Sequence, residues 1–319
     1  MLSNLNLLLG AGFSRNWGGW LANEVFEYLI GHESFISDSY LNDHLWKYKD
    51  TGGFESALFE WQKRDKISRE RRVRFENALK DMFNEMNKGF RVRQFEFSNQ
   101  RYFQVSNFLT KFDKIFTLNQ DLLLEIQYMN SNIEINALGR FNGPQLPGMI
   151  QKSPVSLGNW ADTNWTPDLS SDFNLIAGSQ PIIKLHGSCN WVSSDSDEIM
   201  VIGGGKPSQI ENFPILRWYF EEFEKCIVAK GAKLVIIGYS FGDSHINSLI
   251  SEGVSNGLHL FIIDPRGSDL FTRFLNSDYQ DMNKIKNGVR GFSRRSLNEI
   301  FGGDSIEISK IQRFIDLFS

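Results

Sequence analysis

Apolar residues along this chain fall into two textures. Short unbroken runs, at Leu5–Leu9, around Ile115 and Phe116, at 181–185, 234–237 and 258–263, read as buried β-strands. Between them apolar residues return every three or four positions: Trp17, Trp20, Leu21, Val25, Phe26, Leu29 and Ile30; Phe54, Ala57, Leu58 and Trp61; Phe75, Ala78, Leu79, Met82, Phe83 and Met86. Leu216, Tyr219, Phe220, Phe223 and Ile227, then Ile246, Leu249 and Ile250, and finally Ile311, Phe314, Ile315 and Phe318, follow the same rule. That spacing lays one apolar stripe on each helix. Strands alternating with helices predict an α/β fold, a Rossmann-like parallel sheet.

Two stretches depart from the alternation. Strand signals vanish from 32 to 110, which predicts a helical insertion within a single domain spanning 1–319, and the chain from 268 to 319 reads as a helical C-terminal extension. From about 136 to 180 the chain is rich in Gly, Pro, Asn and Ser, interrupted by Trp160 and Trp165. That composition predicts a long loop, a candidate lid over a pocket, or a surface insert.

The strands also share their punctuation. The first runs into Gly10-Ala11-Gly12, and a helical pattern from about Gly18 to Ile30, capped by Ser14 or Asn16, would aim its N-terminal amides at an anion in the turn. The same glycines suit a turn that serves packing alone. The second strand ends in Thr117, Asn119 and Asp121, side chains suited to ligand contact or to helix capping. The third delivers His186, where Gly187 would leave room beside the imidazole. The fourth ends in Gly238-Tyr239-Ser240, with Asp243 placed to cap the following helix and His245 in its first turn. The last ends in Asp264, which could accept hydrogen bonds from ribose hydroxyls. Gly203-Gly204-Gly205 reads as a plain turn, because no convincing strand feeds it. In a parallel sheet these ends lie along one edge, so they converge on one crevice with dinucleotide geometry, although the full GxGxxG fingerprint is absent.

Composition narrows the classes. At 319 residues the chain can bury a large core, and a net charge of −4 with interspersed signs gives no basic field, so a nucleic-acid partner is not indicated. The 2 cysteines, Cys189 and Cys226, stand far apart, and the absence of a secretory pattern or long apolar segment leads to the expectation of a soluble, cytoplasmic protein with no membrane partner. The 27 phenylalanines and 8 tryptophans fit a thick core or an extensive interface. Arg69, Arg71, Arg72 and Arg74, beside Glu70 and Glu76, read as a solvated helix face or a docking surface.

The ordered set of strand ends resembles the sirtuin superfamily, and within it the bacterial SIR2-like proteins that consume NAD in antiphage defence. Gly10-Ala11-Gly12-Phe13-Ser14 is similar to the family's GAGxS loop, Thr117, Asn119 and Asp121 to its TxNxD stretch, His186-Gly187 to its histidine-glycine pair, and Gly238-Tyr239-Ser240 to its later Gly-x-Ser. The chain departs from the protein deacylases of that superfamily in two ways. It has no CxxC pair, which excludes their structural zinc module, and Trp20-Leu21-Ala22-Asn23 stands where they carry a Pro-Asp-Phe-Arg stretch.

The resemblance implies a sirtuin-type fold and cleavage of nicotinamide from NAD+, with NAD as substrate, no zinc, and depletion of NAD+ as the defensive act (abortive infection). It implies that the backbone of Gly10, Ala11 and Gly12 holds the pyrophosphate, with Ser14 and Ser240 as hydroxyl contacts and Phe13 and Gly238 in the same cofactor site. Thr117 would belong to the cofactor site, Asp121 would bind the carboxamide, and Asp264 the adenosine ribose. Asn119 would position water or the ribose hydroxyls, and His186 would act as general base. Activation through a homo-oligomer or a HerA-like ATPase partner is a further implication. The alternatives are an NAD-dependent deacylase, an ADP-ribosyltransferase, or a module that only binds NAD or ADP-ribose.

Overall fold

The computed structural model describes residues 4–62, 68–130, 140–152, 160–170, 172–195, 197–274 and 280–317. Its strands are β1 (Leu5–Leu9), β2 (Lys114–Thr117), β3 (Pro144–Gln145), β4 (Met149–Gln151), β5 (Trp165–Pro167), β6 (Gln180–Lys184), β7 (Gly187–Val192), β8 (Glu198–Met200), β9 (Lys233–Ile237), β10 (His259–Ile263) and β11 (Val289–Ser293). Seven of them form one sheet in the order β11-β10-β9-β1-β2-β6-β3, and every pairing in it is parallel. The unbroken apolar runs follow from this topology. A parallel strand is covered on both faces, so alternation gives way to continuous Leu, Ile and Val. Leu7, Leu8, Leu234, Val235, Ile236 and Ile262 are accordingly buried completely.

The first helices are α1 (Ala11–Arg15), α2 (Ala22–Gly31), α3 (Glu33–Ile36), α4 (Ser39–Lys47), α5 (Gly53–Gln62), α6 (Arg69–Arg91) and α7 (Val105–Leu109). The region from 32 to 110 is thus helical as the pattern predicts, with α6 at 23 residues as its spine. Ser68 caps α6 by accepting from the Arg71 amide, Glu70 lies in its first turn, and Lys88 and Arg91 lie in its last, all in accord with the helix dipole. Of the arginine run, Arg71 reaches Asp38, the cap of α4, and Arg74 pairs with Glu70 one turn back. The later helices are α8 (Lys206–Glu211), α9 (Pro214–Ile227), α10 (Ser244–Ser255), α11 (Gln280–Gly288), α12 (Leu297–Phe301) and α13 (Ser305–Leu317).

Several elements differ from the sequence reading. The helix after the first strand starts at once, at Ala11, stops at Arg15, and gives way to α2 only after Gly18 and Gly19. Neither Ser14 nor Asn16 caps α2. Leu21 stands at that position with Glu24 reaching back to its amide, while Asn16 donates to the Gly12 and Phe13 carbonyls. The stretch around 140–180 is not a plain loop. β3 extends the main sheet, and β4 and β5 join β7 and β8 in a second sheet of four strands. Trp160 and Trp165 stack there with ring centroids 4.7 Å apart. Residues 136–139, 153–159 and 171 of that stretch lie outside the described residues.

Among its described residues the 268–319 extension carries helices and one strand, β11, which runs parallel to β10 at the sheet edge. Its Val-Arg-Gly-Phe-Ser sequence carries no apolar run, in keeping with an edge strand of which only Ser293 is buried, and a Cβ at Gly291 would fall 2.5 Å from the Phe261 ring. Ile311 and Phe314 are buried beneath α13 as expected, whereas Phe318 lies outside the described residues. Among the described residues, no helix is long and apolar enough to cross a membrane.

Candidate functional site

The C-terminal ends of the central strands open into one cleft with a cavity volume of about 650 Å³. Of the residues singled out from sequence, Gly10, Ala11, Gly12, Asn119, His186, Gly238, Ser240 and Asp264 line it. Phe13, Ser14, Thr117 and Asp121 stand behind that lining. Phe13 packs on Trp17, ring centroids 5.0 Å apart, and the Thr117 hydroxyl accepts the Asn119 amide proton at 3.1 Å. Those two side chains shape the wall.

The GAG turn is engaged with the chain itself. The Gly10 amide donates to the Ile237 carbonyl and the Gly12 amide to the Gly238 carbonyl, each at 2.9 Å, and the Phe13 amide returns to the Gly10 carbonyl. Those amides are therefore not open to an anion, contrary to the cradle expected of Gly10 and Gly12. The absence of side chains does other work here. A Cβ on Gly12 would sit 2.6 Å from the Gly238 Cα, one on Gly10 would sit 2.6 Å from the Gly238 oxygen, and Gly238 itself has φ of +63°. Two strand-end turns touch backbone to backbone, which only glycine allows. Ala11 is the exposed residue that this contact leaves on the cleft floor.

Asn119 is fixed at the base of the cleft. Its Nδ2 donates to the Gly10 carbonyl at 3.1 Å and to the Ser14 hydroxyl at 3.0 Å. Ser14 in turn donates to the Asp121 carboxylate, which also accepts from the Leu123 amide. Burial raises the Asp121 pKa, and Lys184, the Leu123 amide and Ser14 offset only part of that. Lys184 donates at 2.6 Å both to the Asp121 carbonyl and to Glu125, with the Lys184 and Glu125 side chains at most 2% exposed. Asp121, Asn119 and Gln120 wall a side pocket of about 130 Å³ whose other walls include Trp20, Phe83 and Met86. Sequence reasoning placed Asp121 here and missed Lys184, whose position inside an apolar strand was its only signal.

His186 is 1% exposed and lies among groups that the sequence reading did not join to it. Its Nε2 lies 3.0 Å from Nε2 of His245, and both rings face Phe220, at 6.4 and 5.6 Å between centroids. Lys206 donates to Asp243 at 2.6 Å and pairs with Glu55 of α5 at 3.1 Å. The His186 pKa is lowered to about 3, chiefly by burial and further by Lys206 and His245, against the opposing pull of Asp243 and the Leu118 carbonyl. Burial raises the Asp243 carboxyl, yet Lys206 and the neighbouring imidazoles more than reverse this and hold it low. Asp243 thus occupies the cap position of α10 without a capping hydrogen bond from its side chain. Gly187, expected to leave room for the imidazole, instead admits β8. A Cβ there would meet the Ile199 carbonyl oxygen at 2.0 Å, and its φ is +73°.

The far end of the cleft is rimmed by cations. Arg266 clamps Asp264 through both carboxylate oxygens, at 3.0 and 3.1 Å, and Arg15 and Arg295 line the same wall. Arginine forks suit phosphate oxygens, which the engaged glycine amides do not serve.

A model of the SIR2-like domain family matches residues 113–285, which include Asn119, Asp121, His186, Gly238 and Asp264 but not the GAG turn. Solved structures similar to this chain include a Sir2 homologue in complex with NAD, at 12% identity over 98% of this chain and 90% of the other, TM-score 0.45. Another is Sir2 in complex with an inhibitor, 2′-O-acetyl-ADP-ribose and a deacetylated peptide, at 14% identity over 96% and 94%, TM-score 0.41. Among curated proteins none matches the chain.

Proposed function

The chain belongs to the SIR2-like domain family, and from that premise we propose that it is an NAD+ glycohydrolase, releasing nicotinamide and ADP-ribose. The observation that carries this reading is the meeting of Asn119 and His186 in one cleft with a side pocket beside them. A cleft of about 650 Å³ suits an extended small molecule, within the ~300–1,000 Å³ of ligand sites. The adenosine end would lie by Asp264 and the pyrophosphate across Ala11 toward the arginines. The nicotinamide would enter the side pocket, with Asp121 at its carboxamide.

In the reaction, the bond between C1′ of the ribose and the nicotinamide nitrogen breaks, and its electron pair leaves with nicotinamide. Positive charge builds on the ribose, as in other glycosyl transfers. Water then bonds to C1′, giving up a proton. Asn119, with Nδ2 held by Gly10 and Ser14, offers Oδ1 to place that water or the ribose hydroxyls. His186 takes the proton. The neutral imidazole that burial enforces is the form a base requires.

The cellular role that fits is antiphage defence by NAD+ depletion, switched on by assembly with further copies or with a HerA-like ATPase. Support for it comes from the resemblance to bacterial SIR2-like proteins and from the helical block between β1 and β2. Nicotinamide release from NAD+ by the purified protein tests the activity; His186→Ala and Asn119→Ala should each lower turnover on the order of 100-fold or more. Unchanged turnover in both variants sinks the assignment, and NAD-dependent loss of an acyl group from lysine peptides, followed by mass spectrometry, would replace it with the deacylase.

A further inference from the structure

The turn after β10 decides what meets a ribose at the far end of the cleft. Asp264 follows that strand, Pro265 comes next, and the Gly267 amide returns to the Asp264 carbonyl at 2.8 Å, closing residues 264–267 into a tight turn. The turn folds Arg266 back over Asp264. Its amide and Nε donate to Oδ1, at 2.9 and 3.0 Å, and its Nη2 donates to Oδ2 at 3.1 Å, so both carboxylate oxygens are engaged. The two side chains differ in what they show: Asp264 is 6% exposed and Arg266 41%. A strand-end carboxylate that accepts ribose hydroxyls is the device of a site for an unphosphorylated dinucleotide, whereas an arginine there accommodates a 2′-phosphate. This wall presents the arginine, and among the described residues nothing accepts from its Nη1.

The neighbouring strand end adds a second guanidinium. The Asp264 amide donates to the Ser293 carbonyl at 3.0 Å, which sets the loop after β11 beside the turn, and Arg295 of that loop lines the cleft. Arg295 pairs with Glu299 at 3.1 Å, but both side chains are more than half exposed. An exposed pair of this kind holds weakly, and its guanidinium is open to capture by a phosphate monoester, which carries nearly two negative charges at neutral pH. Arg294, by contrast, is engaged with Asp269. We propose that Arg266 and Arg295 form a 2′-phosphate subsite, and that the enzyme cleaves NADP+ alongside NAD+, binding the phosphorylated dinucleotide more tightly. This rests on the reading of the cleft as a dinucleotide site with its adenosine end by Asp264. Arg15, on the helix that begins at Ala11, is then left to the pyrophosphate. The bond changes are those already written: water replaces nicotinamide at C1′, and the 2′-phosphate, on the other ribose, stays with the product as ADP-ribose 2′-phosphate.

Calorimetric titration of the full chain with adenosine 2′,5′-bisphosphate, adenosine 3′,5′-bisphosphate and adenosine 5′-monophosphate reads the subsite without turnover. The 2′,5′ isomer should bind about 10-fold or more tighter than the monophosphate, an increment that charge-assisted hydrogen bonds supply, and more tightly than the 3′,5′ isomer. In nicotinamide release, kcat/KM should favour NADP+ over NAD+ by a similar factor. Arg295→Gln should lower that ratio about threefold, the loss of one exposed contact. The double variant Asp264→Asn with Arg266→Gln removes both members of the pair, leaving no buried carboxylate alone, and should bring the ratio to about one or below. Equal affinity for the two bisphosphates, or for the 2′,5′ isomer and the monophosphate, overturns the proposal, as does a ratio that neither variant moves. Nicotinamide released from NAD+ while NADP+ stays intact overturns the subsite and leaves the hydrolase. Preferential binding of the 2′,5′ isomer by protein that cleaves neither dinucleotide would overturn the hydrolase and leave the subsite standing.

Discussion

The two flanks of the cleft are built on opposite principles. On one, Gly10, Gly12 and Gly238 bring two strand-end turns into backbone contact, with their amides donating to neighbouring carbonyls. On the other, His186, His245, Asp243, Lys206 and Glu55 are held apart and together by charge and hydrogen bonding. The glycine flank has no slack, because close-packed backbone yields neither to added volume nor to a shifted dihedral. The histidine flank is a balance in which each member biases the protonation of the next. Substitutions in the first should therefore be read as losses of fold, and in the second as changes of proton affinity.

The largest expected effect tests the glycine flank. Gly238→Ala places a Cβ 2.4 Å from the Gly12 Cα at a residue whose φ is +63°, so both strain and overlap oppose it. We expect a loss of roughly 3 kcal/mol or more in chemical denaturation. Gly242→Ala, four residues on, is the control. Its nearest neighbour would be the Ser240 hydroxyl at 3.3 Å, and the change should stay within about 1 kcal/mol. If the two variants unfold at similar denaturant concentrations, the close contact is not what holds the turns.

Next in size is the acid response of the histidine flank. An unfolded chain protonates His186 near its ordinary pKa of 6.5, whereas the folded protein refuses the proton until about pH 3. Between those limits the unfolded state binds more protons, so stability falls as pH falls. From pH 6.5 to 4 that single residue accounts for ~3 kcal/mol of the decline, at 1.36 kcal/mol per pH unit. His186→Asn should flatten the acid limb of a stability–pH curve by about that amount, because asparagine cannot titrate. Parallel curves for the two proteins would show that His186 is not desolvated as the cleft geometry implies.

The difference between the flanks also explains what could be read from the sequence. The five central strands of the main sheet, β1, β2, β6, β9 and β10, were legible because burial on both faces writes itself as unbroken apolar runs, and their shared edge followed from parallel topology; β3, two residues within the stretch read as a loop, was not. Nor was β11, since a partly exposed edge strand needs no such run, and Val289-Arg290-Gly291-Phe292-Ser293 resembles a helix end as much as a strand. The cleft-lining positions Gly10, Asn119, His186 and Asp264 were visible as polar or small residues at strand ends. The partners of His186 were hidden. Lys206 follows three glycines that look like an ordinary turn, but a Cβ on Gly204 would lie 2.4 Å from the Phe59 ring, so those glycines let the loop settle on α5 and carry the lysine in. Asp243 carried a capping signal that masked its role, because helix capping and side-chain recruitment draw on the same residue types, and His245 was visible only as a residue of the helix's first turn. Glu55 was one more polar residue on an amphipathic helix.

Glu55 gives the smallest expected effect and the finest probe of the balance. It is the member of the cluster contributed by the helical block between β1 and β2, and its side chain is 41% exposed. Its bond to Lys206, at 3.1 Å, is the longer of that lysine's two ion pairs. Glu55→Gln keeps the shape and removes the charge, so stability should change by less than about 1 kcal/mol. Lys206 would then answer to Asp243 alone and neutralise it more fully. Asp243 opposes the fall in the His186 pKa, so weakening its field makes His186 a slightly poorer base. The expected result is a loss of roughly two- to threefold in kcat near neutral pH, the equivalent of a few tenths of a kcal/mol, with KM unchanged. A tenfold loss would mean that α5 fixes Lys206 outright, turning the helical block from a bystander into part of the site's frame. An unaltered rate and pH profile would confine the proton balance to His186, His245, Asp243 and Lys206, and separate the helical block from the chemistry.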